Sequence, residues 1–362
     1  MIRVLVAEDS PTARALLVSM LTSDPEITVV GEAQTGLEAV TLAGSLRPDL
    51  ITMDIQMPGI DGLEATVRIM TVAPVPIIVV SSLASDTDVE LSLEATRLGA
   101  LMVLPKPEGP HSPRHKEQRA QLISAVKSMA QVKVVQRWGA SNPALRPKGM
   151  TPASSAVISG ERQRFTPGGI RSISGDRPLV VAIGASTGGP AALRDIFAAL
   201  PRDFRVPVLV VQHIANGFIG GLALWLKGSS KLRVKVAAAG ETATQGCIYL
   251  APDDQHLGIR DDYRIELAGT PPIGSFRPSA SHLFSSAASA FGGATVAIIL
   301  TGMGDDGLHG LRDVHAAGGL VIAQDEASSV IYGMPREAVR AGIADAVLPL
   351  GQMAARLAQV AM

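Results

Sequence analysis

The stretch Val180-Val-Ala-Ile-Gly-Ala-Ser-Thr-Gly-Gly-Pro-Ala-Ala-Leu-Arg194 runs from an apolar segment through a glycine-rich turn into a helix-forming segment. Two chemistries use a turn of this kind. Backbone N–H groups at a helix N-terminus can cradle a phosphate. A serine at the tip can instead be presented as a nucleophile, and Gly184-Ala-Ser-Thr-Gly188 fits the G-x-S-x-G pattern around Ser186. Either way the unit is strand, turn and helix, and the same alternation continues on both sides.

From residue 178 to 362, strands are expected at Leu179–Ile183, Val206–Gln212, Val234–Ala237, Ile248–Ala251, Ala294–Leu300 and Leu320–Ala323. Helical segments follow most of them, including Pro190–Leu200 and Ser279–Phe291. Denser strand signals between Cys247 and Leu267 predict a local antiparallel hairpin turning at Asp261-Asp262. Residues 1 to about 107 show a second alternation, with strands at Ile2–Ala7, Ile27–Gly31, Leu50–Asp54, Ile77–Ser81 and Leu101–Leu104. Helical stretches such as Thr12–Leu21 and Leu63–Met70 lie between them. Alternation of this kind implies parallel sheets with helices on both faces. The expected fold class is therefore α/β, with two doubly wound parallel-sheet domains.

Between them, residues 108–177 are rich in Pro, Gly and Ser, and Lys/Arg outnumber Asp/Glu by 12 to 4. One helical pattern, Gln118–Val135, survives at its start, and beyond it periodicity disappears. We read 136–177 as a basic, solvated linker. The first domain spans 1–107, or reaches about 135 when its last helix is included, and the second spans 178–362.

The whole chain of 362 residues has a net charge of -1, which argues against nucleic-acid binding. Aromatics are only 3%, so the cores must be aliphatic. The single cysteine, Cys247, excludes an internal disulfide framework, fits a reducing compartment and reads as an inert core thiol. The start MIRVLVAEDS lacks the features of a signal peptide, and no apolar run has the length of a membrane span. A cytoplasmic monomer without membrane insertion is expected.

In a doubly wound sheet, functional groups gather at the carboxyl ends of the strands. In the first domain that rule collects Glu8 and Asp9, then Asp54, Ser81 and Lys106. Three carboxylates on one edge repel each other unless a cation joins them, and oxygen ligands suit Mg²⁺. Asp54 is then the candidate phosphoryl acceptor, with Lys106 and the Ser81 hydroxyl as partners of the phosphoryl oxygens. Glu8-Asp9, Met53-Asp-Ile-Gln-Met-Pro-Gly-Ile-Asp-Gly62, Ser81 and Lys106-Pro107 in this order resemble the receiver domain of response regulators. The resemblance covers residues 1 to 107. It implies phosphorylation of Asp54 by a histidine kinase, with Asp9 and Asp54 as the main Mg²⁺ ligands beside Glu8 and a carbonyl of Gln56. Glu8 stands where Asp is more frequent.

In the second domain the phosphate cradle fails in both its standard forms. Gly184, Gly188 and Gly189 do not give G-x-G-x-x-G, and Gly189 is followed by Pro190 rather than by Lys-Ser/Thr. A nucleophilic serine needs an imidazole, and the imidazole needs a carboxylate. His213 ends one strand, and Thr301-Gly-Met-Gly-Asp-Asp-Gly307 follows another, so a base and an acid are expected at the same sheet edge as Ser186. His256, His282, His309 and His315 lie in contexts that do not place them there. Backbone N–H groups of the two glycine-rich turns could form an oxyanion hole.

Gly184-Ala-Ser-Thr-Gly-Gly-Pro190, Val211-Gln-His213, Ile248-Tyr-Leu-Ala-Pro252, Arg277-Pro-Ser279, Leu300-Thr-Gly-Met-Gly-Asp-Asp-Gly307 and Ala323-Gln-Asp-Glu-Ala-Ser-Ser-Val330 resemble the protein-glutamate methylesterases of bacterial chemotaxis. The resemblance spans residues 178 to 349. It implies Ser186 as nucleophile, His213 as general acid/base and Asp306 as the acid, with Asp305 a solvated neighbour. Thr187 and Met303 become candidates for oxyanion support. Ile214-Ala215 and Ser281 depart from the family pattern, at positions read as bordering the substrate groove. The three glycines of the serine turn are read as making room for a receptor helix.

The implied whole is a receiver-like domain and a Rossmann-like hydrolase joined by the basic linker. It would be activated by phosphorylation, hydrolyse glutamate γ-methyl esters on the cytoplasmic helices of chemoreceptors, and also deamidate receptor glutamines. Its partners are a chemosensory histidine kinase and methylated receptors, and the hydrolase needs no cofactor. A catalytically silent adaptor has no use for Ser186, His213 and Asp306 together. A DNA-binding regulator lacks a basic recognition helix.

Overall fold

The computed structural model describes residues 1–82, 86–132, 134 and 179–361. The linker expected at 136–177 lies outside the described residues. The first unit contains strands β1 (Ile2–Ala7), β2 (Ile27–Ala33), β3 (Leu50–Met53), β4 (Ile77–Ser81) and β5 (Met102–Pro105). They alternate with helices α1 (Pro11–Thr22), α2 (Gly36–Leu46), α3 (Gly62–Val72), α4 (Asp86–Arg97) and α5 (His115–Met129). The sheet is wholly parallel in the order β2-β1-β3-β4-β5. Helices on both faces bury it, which is why β3 and β4 are buried along their whole length and are mostly apolar rather than alternating.

The second unit contains β6 (Val180–Ala185), α6 (Gly189–Ala199), β7 (Val208–Gln212), α7 (Ile219–Ser229), β8 (Arg233–Val236) and β9 (Cys247–Leu250). The hairpin β10 (His256–Ile259) and β11 (Ile265–Ala268) follows, then α8 (Ala280–Phe291), β12 (Thr295–Ile299), α9 (Leu308–Ala316) and β13 (Leu320–Gln324). It ends with α10 (Met334–Arg340), β14 (Ala346–Leu348) and α11 (Leu350–Ala361). Seven parallel strands run in the order β14-β13-β12-β6-β7-β9-β8. The hairpin forms as expected, pairing antiparallel outside this sheet. Cys247 is buried in β9.

Chain order reverses beside β1 in the first sheet and beside β6 in the second. Such switch points open a crevice at the carboxyl ends of the strands. Residues that follow β1 and β3, or β6 and β12, are therefore gathered at one place by topology alone. The candidate residues of both sites leave the sheets at these ends.

The helix expected over Gln118–Val135 starts earlier and ends earlier, as α5. It packs Leu122, Val126 and Met129 against Leu17, Met20 and Leu21 of α1, so it belongs to the first unit's core. The two units also touch. Helix α4 packs against α7 and α6, and a continuous apolar cluster joins Val89 and Leu93 to Ile219, Leu222 and Trp225. Glu94 pairs with Arg194 at 2.9 Å, and that guanidinium lies 4.6 Å from the centre of the Trp225 ring. Gly221 lets the helices meet, because a Cβ there would come 2.1 Å from Val89 Cγ1.

Phe284 of α8 is fully buried beneath β6 and β12, where its ring faces Gly184 and Gly307. Phe284→Ala is expected to destabilise the second unit by about 3–5 kcal/mol through the cavity it leaves. Urea unfolding followed on that unit checks this. A loss below about 1 kcal/mol would mean the ring does not anchor α8.

Candidate active site

Ser186 follows β6 directly, at the mouth of the switch point. Its N–H donates to Thr301 O at 3.0 Å, which joins the serine turn to the turn after β12. Gly188 adopts φ +79°, a left-handed conformation that favours glycine, and a Cβ there would press into Val330 at 2.6 Å. The other two glycines are also packed against protein. Gly184 lies under Ala280 and Phe284, and Gly189 lies against the Gln212 amide. The expectation that these glycines make room for a receptor helix is therefore corrected: the close approach is internal.

His213 follows β7, and its N–H donates to Ala185 O at 2.9 Å. The buried Gln212 side chain ties the two turns together. Its Nε2 donates to Ser186 O and to His213 O, each at 2.8 Å. The His213 ring stacks on Phe276, with centroids 4.2 Å apart and planes 11° from parallel. Its Nε2 lies 2.9 Å from Asp306 Oδ2. Neither ring nitrogen has a well-aligned hydrogen bond, so the Nε2–Oδ2 contact is close but angularly poor. Such bonds commonly tighten only when substrate is bound. Nδ1 has no partner, and His213 and Ser186 line one cavity.

Asp306 turns inward and Asp305 stays exposed. The buried Asp306 carboxylate accepts from Ser279 Oγ at 2.7 Å, from Ala280 N–H at 2.7 Å and from Ser281 N–H at 3.2 Å. These donors form the N-terminus of α8, where a negative charge is favoured. Burial works against the charge, but the hydrogen bond and charge of His213, the Ser279 hydroxyl and the Ala280 N–H outweigh it. The carboxyl is held well below the usual carboxylate range.

Ser281 does not border the groove, contrary to the sequence reading. It is buried, and its Oγ accepts from Gly307 N–H at 2.8 Å while its own N–H serves Asp306. It locks the acid-bearing turn to α8. Ile214 and Ala215 do line the cavity. His256 does not line the cavity; it lies behind the acid, where its Nδ1 accepts from Ser279 N–H at 3.2 Å. Sequence spacing gave no sign of it, nor of Phe276 and the Gln212 bridge.

Thr187 is buried, with its carbonyl accepting from Thr301 Oγ1 at 2.9 Å, and Met303 is exposed. Among the described residues, the N–H groups of Thr187 and Met303 donate to no other group. The cavity, about 750 Å³, is walled on its other side by the first unit. Ser186, Thr187, His213 and Met303 face Met102 and Gln121 across it.

In the first unit, Glu8, Asp9 and Asp54 bring carboxylate oxygens within 4.8 Å of one another. Glu8 and Asp54 are buried and Asp9 is exposed. Lys106 Nζ donates to Glu8 Oε1 at 2.9 Å and to Asp54 Oδ2 at 2.8 Å. Burial pushes both carboxyls above their ordinary range in spite of this cation. Burial also opposes the Lys106 charge, yet Asp54 and Glu8 hold its proton more tightly than usual. Glu8 Oε2 is buried with no partner, so the cluster keeps an unused ligand atom aimed inward and fits a small cation. Ser81 ends β4, and its carbonyl accepts from Lys106 N–H at 2.9 Å. Gln56 N–H donates to Asp54 Oδ1 at 3.4 Å, and its amide reaches Asp88 Oδ1 on α4 at 2.7 Å.

Residues 4–115 match the response regulator receiver domain, and residues 181–357 match the CheB methylesterase. The fold and these two matches make the protein a response regulator with a hydrolase output unit. It is 52% identical over 98% of its length to protein-glutamate methylesterase/protein-glutamine glutaminase 4 of Myxococcus xanthus, spanning 96% of that protein. Identity to protein-glutamate methylesterase/protein-glutamine glutaminase 3 of Anaeromyxobacter dehalogenans is 46% over 99% of this chain and 98% of the relative. The Thermotoga maritima CheB methylesterase catalytic domain aligns with 51% of the chain and 98% of its own, at 39% identity and a TM-score of 0.49. The chain belongs to the protein-glutamate methylesterase/protein-glutamine glutaminase family. No helix among the described residues is long and apolar enough to cross a membrane.

Because the Asp306 carboxyl titrates below the ordinary range, its stabilising contribution is complete above the unfolded-state value of about 3.9. It is lost as pH falls beneath that value. Urea midpoints of wild type and Asp306→Asn are therefore expected to differ most near neutral pH and to converge at about pH 3 or below. A gap that stays constant with pH would mean the charge is not what the α8 N-terminus holds.

Proposed function

We propose that this protein is a serine hydrolase, activated by phosphorylation, that removes methyl groups from glutamate γ-esters on chemoreceptor helices and deamidates receptor glutamines. The observation that carries the reading is the buried acid–imidazole pair, 2.9 Å apart, with the imidazole and Ser186 lining one cavity. The names of the relatives supply the substrate class. The hydrolase unit would comprise residues 178–362 and the receiver 1–107, or about 135 with α5, with 136–177 as linker.

Ser186 Oγ attacks the ester carbonyl carbon while its proton passes to His213 Nδ1. Asp306 holds the ring in place and stabilises the imidazolium. The N–H groups of Thr187 and Met303 meet the oxygen that becomes negative. The bond to the methoxy oxygen breaks, that oxygen takes the proton from His213, and methanol leaves. Water then attacks the acyl-serine and gives a proton to His213. The carboxylic acid departs as Ser186 regains its proton from His213, and it ionises to glutamate in water. With a glutamine substrate, ammonia leaves in the first half instead.

In the receiver, an Asp54 oxygen forms the bond to phosphorus as the kinase's phosphohistidine bond breaks. Glu8, Asp9 and Asp54 would hold Mg²⁺, whose charge offsets that of the incoming phosphoryl group. Lys106 and the Ser81 hydroxyl then turn to the phosphoryl oxygens.

Regulation follows from the place of the cavity between the two units. A receptor helix is about 10–12 Å across with its side chains, so it needs the full width of the groove at Ser186. The receiver lines one wall of that groove and narrows the approach to it, held by Val89 and Leu93 against Ile219, Leu222 and Trp225, by the fit at Gly221 and by Glu94 on Arg194. Gln56 links the phosphoryl acceptor to Asp88, the residue beside Val89. A phosphoryl group on Asp54 changes what Gln56 meets, and so loosens α4.

Methanol release from methylated receptor membranes tests each part. Ser186→Ala is expected to abolish release while Asp54 still accepts phosphate from a small donor, and retained hydrolysis would overturn the nucleophile. Gly221→Val wedges α7 away from Val89, and is expected to raise the unstimulated rate several-fold towards the donor-stimulated one. An unchanged unstimulated rate would remove the closed contact from the account.

A further inference from the structure

We infer that His256 is a positioning residue for hydrolysis, holding Asp306 in place through Ser279. The inference rests on the reading of Asp306 as the acid partner of His213. His256 opens β10 and is completely buried, so it cannot touch substrate. Its two ring nitrogens face opposite kinds of group. Nδ1 lies 3.2 Å from the N–H of Ser279, a donor, and Nε2 lies 3.2 Å from the carbonyl of Pro271, an acceptor. One tautomer satisfies both: a bare Nδ1 and a proton on Nε2.

Ser279 is the N-cap of α8, and its hydroxyl has two tasks. It donates to Asp306 Oδ1 at 2.7 Å and accepts from Ser281 N–H at 3.1 Å. The Ser279 backbone N–H precedes the helix, and in this buried setting it needs an acceptor. His256 Nδ1 is that acceptor. Without it, the cap residue gains a reason to rotate towards another partner, and its hydroxyl leaves the carboxylate. The relay therefore runs from Pro271 O through His256 and Ser279 to Asp306, and from there to His213.

The ring is held for this task. It stacks on His282 of α8, with centroids 5.0 Å apart. At the far end of the same strand, Ser286 Oγ accepts from Ile259 N–H at 2.8 Å and donates to Ile259 O at 3.0 Å. Helix α8 and β10 are thus fixed to each other at two levels. A small shift of the acid is enough to misplace an imidazole that must meet both Asp306 and Ser186.

The test compares two amides in the full chain with the phosphodonor present. In His256→Asn the side-chain oxygen falls near the position of Nδ1 and can accept from Ser279. In His256→Gln the amide reaches the Nε2 position and leaves Ser279 without its acceptor. Methanol release from methylated receptor membranes is expected to keep kcat within about threefold for His256→Asn. For His256→Gln, kcat is expected to fall about tenfold or more with KM unchanged, as loss of a transition-state interaction requires. Equal kcat for the two variants, high or low, overturns the proposal, because a merely structural role does not distinguish the position of the acceptor. Asp306→Asn run alongside separates the two levels. Full activity in that variant overturns the reading of Asp306 itself, whereas its inactivity with equal Asn and Gln variants overturns only the role of His256.

Discussion

A buried carboxylate is tolerated only when its charge is met, and the second unit is organised around meeting the charge of Asp306. Three donors at the start of α8 converge on it, and His213 Nε2 lies against the same Oδ2 that Ala280 N–H serves. The Ser281–Gly307 hydrogen bond returns the contact, so the acid-bearing turn and the helix hold each other. The same packing places α8 under β6, where Phe284 meets Gly184, two residues before Ser186. Acid, imidazole and serine arrive from three different strand ends. What fixes their relative positions is the single helix N-terminus that the acid needs.

The two parallel sheets repeat one geometric device for two chemistries. In each, loops leave neighbouring strands where chain order reverses, so residues distant in sequence meet at one edge. In the first sheet the edge gathers three carboxylates and Lys106. In the second it gathers Ser186, His213 and Asp306. The units are joined so that the β5–α5 side of the first faces the serine edge of the second. Interfaces between domains of one chain are commonly modest and able to open. The contact joins Val89 and Leu93 to Ile219, Leu222 and Trp225, with the valine–glycine fit at Gly221 and one ion pair beside it.

Much of this was legible in the sequence because parallel strands buried on both faces leave unbroken apolar runs. Val180–Ala185, Ile77–Ser81 and Leu320–Gln324 announce themselves in that way. The strand Ala346–Leu348 does not, since it is three residues long and only partly covered at the sheet edge. Residues that end strands could be placed from topology, which is why Ser186, His213 and the Asp305-Asp306 pair were found together. Ser281 was misplaced for a different reason. The direction of a side chain at a helix start depends on what caps the helix, and that cap comes from a turn 25 residues away. His256 and Gln212 act through backbone N–H and carbonyl groups of other segments, and such pairings leave no mark in residue spacing.

The account stands on a nucleophile at Ser186 that the receiver covers and phosphorylation uncovers. A serine-directed phosphonylating reagent, with labelled positions mapped by mass spectrometry with and without a small phosphodonor, measures both halves at once. The account expects labelling at Ser186, faster with the donor, and no such gain when Asp54 is replaced by Asn. Labelling elsewhere, or at Ser186 at a rate the donor does not change, would contradict it.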